Sequence, residues 1–370
     1  MVTLYLLFPI LYAGMLKYLK YVWLQSSHPD TELLSVKSVT LLVPFRNEAK
    51  NLDAIFHSIL HLDHRPFQVI FIDDHSTDDG RAILEEIERK NHDLDLQILI
   101  LPSKGEGKKA AIETGINQAS GELIFTTDAD CILPKGWIEG YLQVFSSEQI
   151  QFVAGPVISM EKQSFLQRFQ QIEWASILTV TQMGFFIKKP IMCSAANMAY
   201  RKSAFISVNG YQENLHHLSG DDEFLLKKFV QRFGEDSCVY NQNNRVLTQA
   251  EKNWEMLLRQ RTRWASKWRL HKGDITHLGI SLIPFLIQLL FLSSLGFLLQ
   301  GGLGLVLFLY IWAIKIAFER ETLGTVLKHF HISHPFPVYL YSSLLHPIYV
   351  VAVGFKAMFG KFEWKGRKSS

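Results

Sequence analysis

The stretch VIFIDDHSTDD, residues 69–79, decides how the chain folds. Its first four residues form a short unbroken apolar run, the mark of a strand buried on both faces. The run stops at Asp73 and Asp74, and Ser76-Thr77-Asp78-Asp79 opens a helix whose apolar positions include Ile83, Leu84 and Ile87. The same unit precedes it. Val39 to Phe45 (VTLLVPF) is a buried strand, Arg46-Asn47-Glu48 follows, and Asn47 is expected to cap a helix with the stripe Leu52, Ile55, Phe56 and Ile59. Further strands are expected at Leu96 to Leu101 and at Leu123 to Thr127, the latter ending at Asp128. Alternating strands and helices predict an α/β fold with a mostly parallel sheet and right-handed crossovers. Ligands of such sheets bind beyond the carboxyl ends of the strands. Three of these ends carry polar or acidic groups, so the site is expected there.

Outward from this core, the averages of 48% hydrophobic and 20% charged residues conceal a division. Residues 36–274 read as a soluble α/β domain, while both ends of the 370-residue chain read as lipid-facing. Val2 to Leu24 is apolar and aromatic, with Lys17 and Lys20 after the apolar part and no small-residue cleavage site. It reads as an uncleaved membrane anchor (residues 1–24) whose lysines mark the cytoplasmic end, short enough for an interfacial helix to remain an alternative. Ile275 to Leu299 lacks any formal charge and is long enough to span a bilayer. Gly301-Gly302 breaks the run, and Leu303 to Phe318 could return. A charged loop, Glu319-Arg320-Glu321, leads on to a third apolar stretch, Pro337 to Phe359, and a basic tail, residues 361–370. With the central domain inside, three full spans over 275–360 would leave the basic tail outside, against the positive-inside tendency, unless one stretch is re-entrant or interfacial. The net charge of +3 with no long basic run argues against nucleic acid. Cys131, Cys193 and Cys238 show neither a disulfide framework nor zinc-ligand spacing, which fits a reducing compartment.

Several polar clusters are candidates for chemistry, each with a plainer alternative. Asp128-Ala129-Asp130 can share a hard divalent cation with a diphosphate, or be a solvated loop pair. Asp73-Asp74 can hold a base or ribose, or serve the following helix. Lys104 to Lys109 (KGEGKK) can admit a phosphate close to its backbone, or be a surface loop. Gly220-Asp221-Asp222 opens an amphipathic helix with Leu225, Leu226 and Phe229, where an aspartate can act as general base or merely complement the helix dipole. Gln260 to Trp264 (QRTRW) lies in a basic, aromatic stretch with Arg259, Lys267, Trp268 and Arg269, suited to an acceptor or phosphate site or to membrane headgroups.

Together and in this order, these motifs resemble the family 2 glycosyltransferases. These are inverting enzymes that include cellulose, chitin and hyaluronan synthases and many lipid-linked sugar transferases. The resemblance runs from about Thr40 to Trp268, and Gln260-x-x-Arg263-Trp264 is typical of the membrane-bound branch. It implies a GT-A domain flanked by transmembrane helices, catalytic on the cytoplasmic side. By that resemblance Asp73, Asp74, Lys108, Asp128 and Asn197 bind the donor, and Asp128 and Asp130 hold Mg²⁺ or Mn²⁺. Asp222 is the base, with its neighbour Asp221 the other member of a pair that is usually Glu-Asp, and Gln260, Arg263 and Trp264 border the acceptor and diphosphate. His75 stands where a small residue is usual. The implied reaction moves a sugar from a nucleotide-sugar, UDP-linked by expectation, to a lipid or glycan acceptor. Single addition is preferred because about four apolar stretches are few for a polymer channel, and processive polysaccharide synthesis is the alternative. A remoter alternative is a haloacid-dehalogenase-like phosphatase, which also places Asp-x-Asp after a strand. Its motif usually continues to Thr or Val where this chain has Ile132.

Overall fold

The computed structural model describes residues 2–25, 38–91, 96–160, 163–213, 215, 220–266, 275–359, 363–364 and 367–368. The expected Lys267, Trp268 and Arg269, both ends of the 36–274 segment and most of the 361–370 tail lie outside the described residues. In chain order the elements begin with α1 (Val2–Gln25), β1 (Val39–Phe45), α2 (Leu52–Leu60), β2 (Gln68–Asp73), α3 (Gly80–Lys90), β3 (Gln97–Pro102), α4 (Lys108–Gln118) and β4 (Leu123–Thr126). Then come α5 (Trp137–Val144), β5 (Phe152–Ala154), β6 (Val157–Ser159), α6 (Phe165–Phe186), β7 (Met198–Arg201), α7 (Lys202–Ser207), α8 (Asp221–Phe233), β8 (Cys238–Tyr240) and β9 (Val246–Thr248). The last are α9 (Trp254–Ala265), α10 (Ile275–Ser293), α11 (Gly301–His329), α12 (Phe336–Phe359), β10 (Glu363–Trp364) and β11 (Arg367–Lys368). The chain divides into two compact units, residues 26–160 with 181–249, and residues 1–25 with 161–180 and 250–370.

The first unit is built on a seven-stranded sheet in the order β3-β2-β1-β4-β7-β5-β8. All seven residues of β1 are buried, and it pairs in parallel with β2 (Leu41 opposite Val69) and β4 (Leu41 opposite Phe125). Burial on both faces is what an unbroken apolar run requires. Ala111, Ile112 and Ile116 of α4 pack on Leu42, Ile70 and Ile72 of the sheet. The strand β7 runs antiparallel between β4 and β5, with Tyr200 opposite both Ile124 and Phe152. The sheet is therefore mostly parallel, with one reversed strand inserted between β4 and β5. One expectation fails locally. Asn47 does not cap α2, because a turn closed by the Asn51 amide on the Glu48 carbonyl (2.8 Å) intervenes. Asn47 instead takes a left-handed conformation (φ 55°), and its Oδ1 accepts from Thr77 N (2.7 Å) and Thr77 Oγ1 (3.2 Å). It ties the loop after β1 to the loop after β2.

In the second unit, three segments among the described residues are long and apolar enough to cross a membrane: Leu282–Leu299, Gly301–His329 and Phe336–Phe359. Among the described residues α1, which carries Lys17, Lys20 and four tyrosines, is not one of these. Tyr5, Phe8, Tyr12 and Leu16 of α1 pack on Phe291, Phe297, Ile311 and Trp312. Glu319-Arg320-Glu321 is not a loop but a continuation of α11. Two of its charges are paired: Glu319 accepts from Lys315, from Tyr12 Oη (2.6 Å) and from Ser343 Oγ (2.5 Å), while Lys20 reaches Glu321 (2.7 Å). A buried carboxylate that accepts three hydrogen bonds, one from a cation, no longer opposes the helix that carries it.

Candidate active site

The expected nucleotide motifs of the first unit converge on the loops at the carboxyl ends of β1, β2 and β4. Asp73 Oδ1 accepts the Ser76 amide (2.8 Å), which shapes the turn after β2. Asp74 is buried, and its Oδ1 accepts the Gly107 amide (2.9 Å) while Arg46 donates to its backbone oxygen (3.2 Å). His75 takes a left-handed conformation (φ 60°), which polar residues tolerate better than most. Gly107 (φ 91°) has a backbone that residues with a Cβ adopt only under strain, and it delivers Lys108 as the first residue of α4.

Lys108 is the centre of the arrangement. Its ammonium contacts Asp128 at the end of β4 and lies 3.3 Å from Asp221 at the start of α8. Burial alone would push this ammonium down, but Asp128 and Asp221, with Asp222 more remotely, overcome it and hold it well above the usual lysine value. Gly220 makes the entry to α8 possible: it sits at φ 84°, and a Cβ there would fall 2.9 Å from the Phe224 ring. Asp222 follows, with Oδ1 accepting the Glu223 amide (2.9 Å). Asp130 Oδ2 is 3.4 Å from Thr248 Oγ1. Residues far apart in sequence (108, 128 and 221) thus share one charged cluster. The aspartate that Lys108 engages is Asp221, and its neighbour Asp222 stands outside that ion pair.

The donor set suits a divalent cation of limited protein coordination. Among the described residues no three His, Cys, Asp or Glu side chains form a ligand cluster. Asp128 and Asp130 together offer two carboxylates, the number used where substrate phosphates and water complete the shell. Lys108 already contacts Asp128, so a metal ion held there would share that carboxylate with the ammonium or displace it.

Asn197 is held by the protein's own groups. It is fully buried, its Oδ1 accepts from Trp137 Nε1 (2.7 Å) and Tyr141 Oη (2.6 Å), and its Nδ2 donates to the carbonyls of Pro156 and Asn244 (2.8 Å each). All four positions of the amide are used within the protein, so it ties the start of β7 to α5 and to the segments carrying Pro156 and Asn244.

In the second unit, Gln260, Arg263 and Trp264 lie on α9, whose start is capped by Asn253 Oδ1 on the Met256 amide (2.9 Å). The residue that orders this helix is one the motif leaves unspecified. Arg261 is buried and makes a forked pair with Glu173 of α6 (Nε–Oε1 3.1 Å, Nη2–Oε2 2.9 Å), and Tyr349 of α12 donates to the same carboxylate (2.6 Å). Its guanidinium lies 4.1 Å from the Trp264 ring centroid and 5.2 Å from that of Trp174. Burial opposes the charge of Arg261, yet Glu173 keeps it above its ordinary value. The four-residue step from buried Leu257 to Arg261 carries the signal that Arg261 faces inward.

Residues 40–208 match the family model described as glycosyl transferase family 2. This segment is a family 2 glycosyl transferase domain. The poly-beta-1,6-N-acetyl-D-glucosamine synthase of Staphylococcus epidermidis is 30% identical over 172 residues, covering 43% of this chain and 39% of that one. The synthase of the same name from Staphylococcus aureus (strain COL) is 26% identical over 190 residues, 50% of this chain and 44% of that one. The chain thus spans less than half the length of these curated relatives. A solved mannosyltransferase, PcManGT from Pyrobaculum calidifontis in complex with GDP-Man and Mn²⁺, aligns over 97% of both chains with a TM-score of 0.58 at 16% identity. That likeness shows the fold, which is GT-A. The family 2 match spans Asp73-Asp74 and Asp128-Ala129-Asp130 and gives no support to the phosphatase alternative raised by the latter.

Within the family 2 domain, Asn197→Ala is expected to cost about 2–4 kcal/mol of stability, because it strands buried donors on Trp137 and Tyr141 and two carbonyls. Thermal unfolding of the variant measures this. A donor affinity unchanged in the protein that remains folded confirms the structural role, and a selective loss of affinity refutes it.

Proposed function

We propose that this chain is a membrane-bound inverting glycosyltransferase that moves a sugar from a nucleotide-sugar, UDP-linked by preference, to a lipid or glycan acceptor. The observation that carries the reading is the Lys108 cluster, which joins the strand-end acid pair of the family 2 segment to the Asp221-Asp222 pair beyond that segment. Asp128 and Asp130 would hold Mg²⁺ or Mn²⁺, which supplies charge neutralisation to the leaving diphosphate. Asp73 and Asp74 border the base and ribose, and Lys108 moves its charge toward the donor phosphates. Asp222 removes the proton from the acceptor hydroxyl. The oxygen then attacks the anomeric carbon, the bond to the diphosphate oxygen breaks on the opposite face, and the nucleoside diphosphate departs with the bonding electrons. One displacement without a covalent intermediate inverts the configuration. Gln260, Arg263 and Trp264 border the acceptor. The catalytic domain lies on the cytoplasmic side, the end marked by Lys17 and Lys20, where nucleotide-sugars are held.

Single addition remains the preferred outcome, since three apolar segments among the described residues are few to line a polymer path. The name shared by the staphylococcal relatives favours the second reading, repeated addition to a growing polysaccharide. The test is turnover of nucleotide-sugars by the detergent-purified protein with Mg²⁺ or Mn²⁺ and a membrane-lipid extract. One UDP- or GDP-sugar is expected to be consumed, with activity lost on chelation and reduced about 10²–10³-fold in Asp130→Ala. A product longer than one added sugar selects the processive reading. If no nucleotide-sugar binds or turns over, the transferase reading fails.

A further inference from the structure

The membrane unit contains a cavity of about 380 Å³ whose walls belong to none of the nucleotide motifs. It is lined by Lys20 of α1, Arg320, Thr325 and Lys328 of α11, and Ser333 and His334 of the segment leading to α12. Three permanent cations face it against one carboxylate, Glu321, which Lys20 already engages (2.7 Å). Arg320 and Lys328 are exposed, and the Thr325 and Ser333 hydroxyls add neutral hydrogen-bond donors. A fork-shaped guanidinium, a point-charged ammonium and hydroxyls around a polar hollow suit the oxygens of a phosphate group.

The surroundings distinguish the source of that phosphate. The cavity lies at the charged end of α11 and the beginning of α12, both apolar enough to cross a bilayer. Arg320 lies 5.4 Å from the ring of Phe336, which is itself half-exposed, and Tyr341 is exposed one turn further along α12. A cationic hollow that opens beside exposed aromatic side chains on membrane-length helices matches a molecule with an anionic head and apolar tails. A free anion would make no use of the apolar rim.

We propose that this cavity binds the phosphate headgroup of an anionic membrane lipid. Its lining shares no residue with the nucleotide cluster, and its occupant anchors the neighbouring ends of α1, α11 and α12 at the membrane surface. Each basic residue near an anionic headgroup contributes about 1 kcal/mol, so losing two weakens binding roughly thirtyfold.

The test is native mass spectrometry of the full chain taken from nanodiscs of phosphatidylcholine containing increasing phosphatidylglycerol. The wild type is expected to retain phosphatidylglycerol in preference to phosphatidylcholine. In the Arg320→Gln/Lys328→Gln double variant that preference falls at least about tenfold. Glu321→Gln removes the opposing carboxylate and keeps or strengthens retention, which a general loss of folding would not do. Nucleotide-sugar binding in detergent stays unchanged in all three proteins, and this reads the integrity of the chain separately. Retention unaffected by the double variant, or equal retention of the two lipids, overturns the proposal. Displacement of the lipid by excess inorganic phosphate assigns the cavity to a free anion and also overturns it.

Discussion

Asp222→Asn is expected to lower transfer by about 10²–10⁴-fold, the range for loss of a general base, while donor affinity stays within about twofold. The amide is isosteric and can still accept the Glu223 amide hydrogen now held by Asp222 Oδ1 (2.9 Å), so the first turn of α8 is preserved. What disappears is the capacity to take a proton from the acceptor hydroxyl. The neighbouring substitution separates two roles that sequence leaves joined. Asp221 faces Lys108 at 3.3 Å, and a carboxylate bound to a cation is the weaker base. Asp221→Asn is therefore expected to act mainly on donor affinity, through a lysine that has lost one of its two anionic partners. Steady-state kinetics with one nucleotide-sugar resolve the two effects as a fall in kcat for Asp222→Asn and a rise in donor KM for Asp221→Asn. The reverse pattern exchanges their roles, and full turnover by both variants removes the pair from the reaction.

What the chain reveals before folding depends on whether a signal is local. The four parallel strands were legible because each is a short apolar run stopped by polar residues, and β1 coincides with the expected Val39 to Phe45. The stripe Leu52, Ile55, Phe56 and Ile59 is buried as its spacing requires. Positions set by contacts between distant segments were not legible. Asn47 carries the composition of a helix cap, yet Thr77 is a better-placed donor thirty residues away. Asn197 sits in a segment that resembles the family's, and its burial and four internal hydrogen bonds come from partners 41 to 60 residues away. Glu319-Arg320-Glu321 reads as a loop only while Lys315, Lys20, Tyr12 and Ser343 are out of view. For the charged cluster, the acidic motifs could be read individually, whereas the link from Lys108 to Asp128 and Asp221 exists only in three dimensions.

The second large effect is expected at Arg261 and Glu173. Replacing either alone, as Arg261→Met or Glu173→Leu, leaves one buried charge without its partner, at a cost of about 3–5 kcal/mol. Arg261→Lys rescues little, because an ammonium cannot reproduce the fork onto both carboxylate oxygens. The double variant removes both charges, and apolar replacement of a buried pair is often neutral. It should therefore unfold closer to the wild type than either single variant does, as measured by heat inactivation in detergent. That recovery makes the double variant the informative protein for function. Arg261 is, by this reading, not itself a contact of the acceptor. It lies 4.1 Å from the Trp264 ring and shares α9 with Gln260 and Arg263, so it acts by positioning them. A stable double variant with a raised acceptor KM and an unchanged donor KM places the ion pair in acceptor binding through α9. If the stable double variant keeps wild-type kinetics, the pair is a staple between α6, α9 and α12, and Trp264 holds its place without it.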